Sequence, residues 1–148
     1  MLWLKSMKLI DANVILRYLL NDNPEMAQRA NAVIQGGAYT KPEIIAEVVY
    51  VLSGVYHAAR ADIRVFIHEM LNAVHCAESE AVAYAVDVFA DSSLDFVDCL
   101  LVAYHVLGKE DVLSFGGLRR LWIGWKVKNR SPAGMGASPL RRRKGGRP

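Results

Sequence analysis

Short apolar runs, too brief to be helices, stand directly ahead of longer stretches with helical spacing, and this alternation restricts the possible folds more than any other feature of the chain. Residues 8–11 read as a short buried strand ending in Asp11, followed at once by a helix over about residues 14–20 with Asn13 placed to cap it. Asn23-Pro24 gives a cap followed by proline at the first helical position. Met26, Ala30, Val33 and Ile34 then keep helical spacing until Gly36-Gly37 stops the helix. Residues 38–40 are the next strand candidate, and Thr40 with Glu43 has the T-x-x-E form of a capping box, opening a strongly apolar helix through about Val55. A helix from Ala61 to near Val74 leads to a strand candidate at His75-Cys76. Residues 78–89 and 95–107 read as two further helices, Gly108 ends the second, and residues 112–115 form a last short strand. Strands alternating with helices predict an α/β fold, a parallel sheet covered on both faces.

A chain of 148 residues that is 53% hydrophobic can bury one ordinary core, which argues against two independent domains. Charge is divided along it. All 15 acids lie at or before Asp111, so with 8 Lys and Arg up to Leu118 that part carries −7, and the other 10 bases make residues 119–148 +10. From about Ser131 the composition turns to Gly, Pro, Ser and Arg, which predicts a domain over residues 1–127 and a basic, disordered tail over 128–148. Cys76 and Cys99 lack metal-ligand spacing and are too few for a disulfide framework, which suits a reducing compartment. Neither a signal-peptide core nor an apolar run of membrane-spanning length is present, and the expected location is the cytoplasm, with no membrane partner.

Three acids stand in positions that call for explanation. Asp11 closes the first strand, and sites in open parallel sheets form outside the carboxyl ends of the strands; a helix-initiating turn would use the same residue types. Glu47 lies within residues 44–52, apolar on nearly every helix face, so burial is expected, and a divalent cation would favour its charged form; a Glu on a narrow wet stripe, or paired to a base, is the alternative. Asp98 follows Asp95 at i+3, which puts both carboxylates on one side of a helix, where Asp95 can cap and Asp98 can favour the positive end of the helix dipole. Together the three suit a hard, oxygen-preferring cation such as Mg²⁺ or Mn²⁺ and metal-assisted hydrolysis of a phosphodiester.

The segments Met7-Lys8-Leu9-Ile10-Asp11-Ala12-Asn13-Val14, Ile45-Ala46-Glu47-Val48 and Asp95-Phe96-Val97-Asp98-Cys99-Leu100 resemble, in order and spacing, the acidic motifs of PIN domains, especially VapC-like toxins. The resemblance covers about residues 7–121. It implies a three-layer α/β/α sandwich with a short parallel sheet, cleavage of single-stranded RNA, and a catalytic Mg²⁺ or Mn²⁺ on Asp11, Glu47 and Asp98. It further implies frequent homodimerisation and inhibition by a cognate antitoxin. Asn13 matches the polar position after the first acid, where it would orient that carboxylate, and a plain helix cap is the other reading. Ser114-Phe115-Gly116 resembles the family's fourth motif with Ser114 retained, but Gly116 stands where a fourth acid belongs, which favours one ion over two. Arg119 and Arg120 are then the best placed bases for guiding an RNA backbone, with the basic run at residues 141–144 read as a solvated tail.

His57, His68, His75 and His105 show no paired metal spacing, and the chain contains no nucleophile elbow, Walker loop or dinucleotide fingerprint. A phosphoacceptor or phosphatase-like domain using Asp11 should carry a partner acid two residues later, where this chain has Asn13. The remaining rival is a catalytically weakened PIN domain that acts as an RNA- or protein-binding module. Gly116 favours it and the three acids oppose it.

Overall fold

The computed structural model describes residues 6–114. The chain divides after Leu113, and these residues belong almost wholly to the first unit, Met1–Leu113. Within it β1 (Lys8–Leu9), β2 (Ala38–Thr40) and β3 (His75–Cys76) form a parallel sheet in the order β1-β2-β3. Register pairs Leu9 with Tyr39 and Tyr39 with His75. The helices are α1 (Ala12–Leu20), α2 (Pro24–Gln35), α3 (Pro42–Gly54), α4 (Arg60–Ala73), α5 (Ser79–Asp91) and α6 (Phe96–Val106), giving the three-layer α/β/α arrangement. No helix among the described residues is long and apolar enough to cross a membrane.

The core lies between sheet and helices. Ile15 of α1, Ile45, Val48 and Leu52 of α3, and Ile63, Ile67 and Met70 of α4 are all at most 0% exposed. In α3 and α4 their i, i+3, i+4 and i+7 spacing forms one buried stripe along each helix. The most extensive helix packing joins α4 to α5 and α5 to α6, while α3 rests on both α1 and α6.

Two expected caps differ. The helix after β1 starts two residues earlier than its apolar spacing suggests, so Asp11, not Asn13, is the cap, its side chain accepting the Val14 N–H at 3.1 Å; Asn13 lies inside the first turn, exposed. Thr40 ends β2 instead of capping α3, whose N-cap is Lys41 with no side-chain bond. The capping box fails because β2 runs through Thr40 and α3 starts only at Pro42, which moves the cap position to Lys41; the buried Thr40 hydroxyl has no partner among the described residues. Asn23 does cap α2, accepting from the Met26 N–H at 3.1 Å, and Gly37 follows that helix at φ +99°, a conformation glycine supplies without strain. Residues 112–114 carry no strand pairing and Leu113 is 82% exposed, so the expected last strand is not seen there. Phe115 and the expected boundary near residue 127 lie outside the described residues.

Cys76 and Cys99 are free and buried. Burial pushes the Cys76 thiol up from 9.0 to about 11, with Glu43 and Glu78 adding repulsion. Its folded value is the raised one, so its contribution to stability is complete below pH 9.0 and is lost as pH climbs toward about 11, where the unfolded chain ionises first. Cys76→Ala should flatten the fall in stability across that interval, measured by urea denaturation at several pH values. An unchanged slope would refute this assignment.

Candidate active site

Parallel strands deliver the chain to one sheet edge, and Asp11 emerges there. The Ile10 N–H donates to the Tyr39 carbonyl at 3.0 Å, extending the β1–β2 ladder up to the residue before Asp11. Asp11 is exposed and, with Asn13, Arg17, Met26, Arg29 and Val33, lines a cavity of about 430 Å³ between α1 and α2.

Glu47 is exposed, which corrects the expectation of burial. Helix α3 buries Ile45, Val48, Val49 and Leu52, leaving Glu43, Glu47, Tyr50 and Gly54 along a solvent-facing stripe. The wet-stripe alternative is therefore the observed one, and burial supplies no argument for a cation at Glu47.

Asp98 is half-buried in the first turn of α6. Asp95 and Asp98 share a second cavity, about 340 Å³, with Tyr50, Arg60, Phe89 and Val97, as their i, i+3 spacing anticipated. Asp95 occupies the N-cap position of α6 but makes no side-chain cap bond. Asp11 and Asp98 thus open onto different cavities, and Glu47 lines neither, although its helix touches those of both. None of the three carboxylates forms an ion pair with a described residue. Their oxygen chemistry fits a hard divalent cation, but among the described residues no group of three or more His, Cys, Asp or Glu side chains is placed to hold one. Ser114 is half-buried in irregular chain, and Gly116, Arg119 and Arg120 lie outside the described residues.

Arg60 was not singled out by the sequence, yet it organises the turn leading into α6. Its Nη1 donates to the carbonyls of Phe89, Ser92 and Leu94 at 3.0, 3.0 and 2.8 Å, Nη2 reaches that of Ser93 at 3.4 Å, and the guanidinium lies 4.0 Å over the Phe89 ring. Phe89 in turn meets Phe96 edge to face with centroids 6.1 Å apart. One signal was available: Arg60 opens α4, where the helix dipole disfavours a cation, so its presence there implies partners elsewhere. Beside Asp98, burial pushes the Cys99 thiol up to about 12, with Asp98 and Asp95 raising it further against the lowering effect of Ser92 and Arg60. Two histidine and tyrosine contacts are structural: His68 Nε2 lies 2.9 Å from Asp87 Oδ1, and the Tyr104 hydroxyl donates to Glu78 at 3.0 Å.

The family model of the PIN domain matches residues 8–117, most of the chain and all of the described residues except the two before β1. No curated protein and no solved structure matches it. PIN domains are generally nucleases and typically use divalent metals. The family match spans most of the chain, and the parallel three-stranded sheet and six helices of the described residues accord with it: the chain belongs to the PIN domain family.

Proposed function

We propose that this chain is an endoribonuclease that cleaves single-stranded RNA with the help of Mg²⁺ or Mn²⁺, and that it serves in the cytoplasm as the toxin of a toxin-antitoxin pair. The observation that carries the nuclease reading is the PIN match over a span in which Asp11, Glu47 and Asp98 are all reachable by solvent and unpaired with any described base. These three carboxylates are the oxygen ligands this reading assigns to the ion, and because Asp11 and Asp98 open onto different cavities they would have to be brought together to hold it. When bound, it would supply charge stabilisation at phosphorus and a more acidic water. The chain's own part is to present Asp11 with one oxygen engaged by the Val14 N–H, to expose Asn13 in the following turn, and to seat Asp98 beside Asp95 on a helix whose start Arg60 fixes. Two free, buried thiols suit a reducing compartment. The cognate antitoxin would act by covering the acidic edge, and the toxin would work as a homodimer.

Chelation should abolish cleavage of a labelled single-stranded RNA, and added Mg²⁺ or Mn²⁺ should restore it. Cutting that continues at the untreated rate in chelator defeats the metal reading. The second reading, a weakened PIN domain that binds RNA or protein, draws on the separation of Asp11 from Asp98 and on Gly116. It predicts RNA binding with no metal-dependent cutting in the same assay.

A further inference from the structure

We propose that the cleft between α1 and α2 is a binding site for the sugar-phosphate strand of a single-stranded nucleic acid, with Arg29 as its phosphate contact. This rests on the nuclease reading above and gives it a substrate-binding residue outside the acidic motifs. The cleft's volume, about 430 Å³, lies within the roughly 300–1,000 Å³ of ligand sites.

The two arginines on its walls are not equivalent. Arg17 is committed, its Nη1 donating to both carboxylate oxygens of Asp22 at 3.1 and 3.2 Å. Arg29 has no carboxylate partner among the described residues; its guanidinium lies 3.8 Å from the Met26 sulfur, and the side chain is exposed. Met26 and Val33, 37% and 39% exposed, give the same cleft an apolar wall. An uncommitted guanidinium, an apolar wall and the Asp11 carboxylate in one cleft match the parts of a nucleotide: Arg29 takes the phosphate, Met26 and Val33 the flat face of the base, and Asp11 stands at the reacting end. A peptide is disfavoured because the cleft also holds Asp11, which the nuclease reading assigns to the reacting end, so an anion at Arg29 is there the substrate's own phosphate.

The test is fluorescence anisotropy with a labelled, mixed-sequence single-stranded RNA and the DNA of the same sequence, each titrated with the full chain in Mg²⁺ over a range of salt. Binding is measured in the Asp98→Asn background, which blocks cleavage, and cleavage by the parent with Asp98 intact is followed alongside. Arg29→Ala should weaken binding of both strands about three- to tenfold and reduce the salt slope by about 0.7, the value for one phosphate on a single strand. Arg29→Lys should keep the slope, and Arg64→Ala, on α4 and lining neither cavity, should change nothing. A loss confined to RNA overturns the phosphate contact in favour of the 2′-hydroxyl. If the chain binds and cuts RNA while Arg29→Ala has unchanged affinity and slope, the cleft is wrong and the nuclease reading stands; if the parent neither binds nor cuts, both fall.

Discussion

Asp98→Asn should leave the chain folded and lower RNA cleavage by at least about a hundredfold, because even residues that only support a metal ligand cost about 10–100-fold when changed. The amide has nearly the shape of the carboxylate, and Asp98 forms no ion pair with a described residue whose loss would unfold the protein. The side chain is half-buried in the first turn of α6, a position where the helix dipole slightly favours the charge, so stability should fall by no more than about 1 kcal/mol. Asp11→Asn and Glu47→Gln should be comparably inactive, with Asn also able to cap α1 in place of Asp11. Circular dichroism and urea denaturation check folding, and cleavage under single-turnover conditions checks rate. A folded Asp98→Asn chain that cuts at parental speed would remove Asp98 from the mechanism.

The second large effect concerns stability. Arg60→Ala should cost about 2–4 kcal/mol, since hydrogen bonds to a charged group contribute about 1.5–3 kcal/mol and the carbonyls it leaves behind are only partly rehydrated. Those carbonyls belong to Phe89, Ser92, Ser93 and Leu94, the C-terminal end of α5 and the turn beyond it, where a cation also meets the negative end of the helix dipole. Arg60→Lys should recover only a minor part, because an ammonium cannot spread flat over the Phe89 ring while reaching several carbonyls. Urea denaturation measures the change. A loss below about 1 kcal/mol would mean that water replaces the guanidinium at little cost.

The order of strands and helices was legible in the sequence because periodicity reports which residues must face a core, and the His75-Cys76 strand, though only two residues long, was found from its place between helices. Periodicity did not report which stripe stays wet. Helix α3 is apolar at most positions, yet its exposed stripe carries Glu47 together with Tyr50, 77% exposed, so a count of apolar neighbours mistook a surface acid for a buried one. Capping was misread where the sheet intervened: the end of β1 sets the start of α1 at Asp11, and β2, running through Thr40, leaves the cap of α3 to Lys41. Arg60 went unread because its partners lie 29 to 34 residues away, beyond any local pattern. Asp11 and Asp98 were singled out by motif, but their division between two cavities depends on how α1 and α6 flank α3, which no single segment encodes.

Asp98 rides on α6, which packs along α5 and is tied at its start through Arg60 of α4, so the placement of this acid depends on a side chain from a helix that α6 does not directly follow in the chain. Asp11 sits where a two-residue strand passes into α1, which packs on α2 and α3. The two acids are therefore carried by separate groups of helices that meet at α3. A substitution that loosens the Arg60 tie would disturb the Asp98 side of the molecule and leave the cleft between α1 and α2 as it stands.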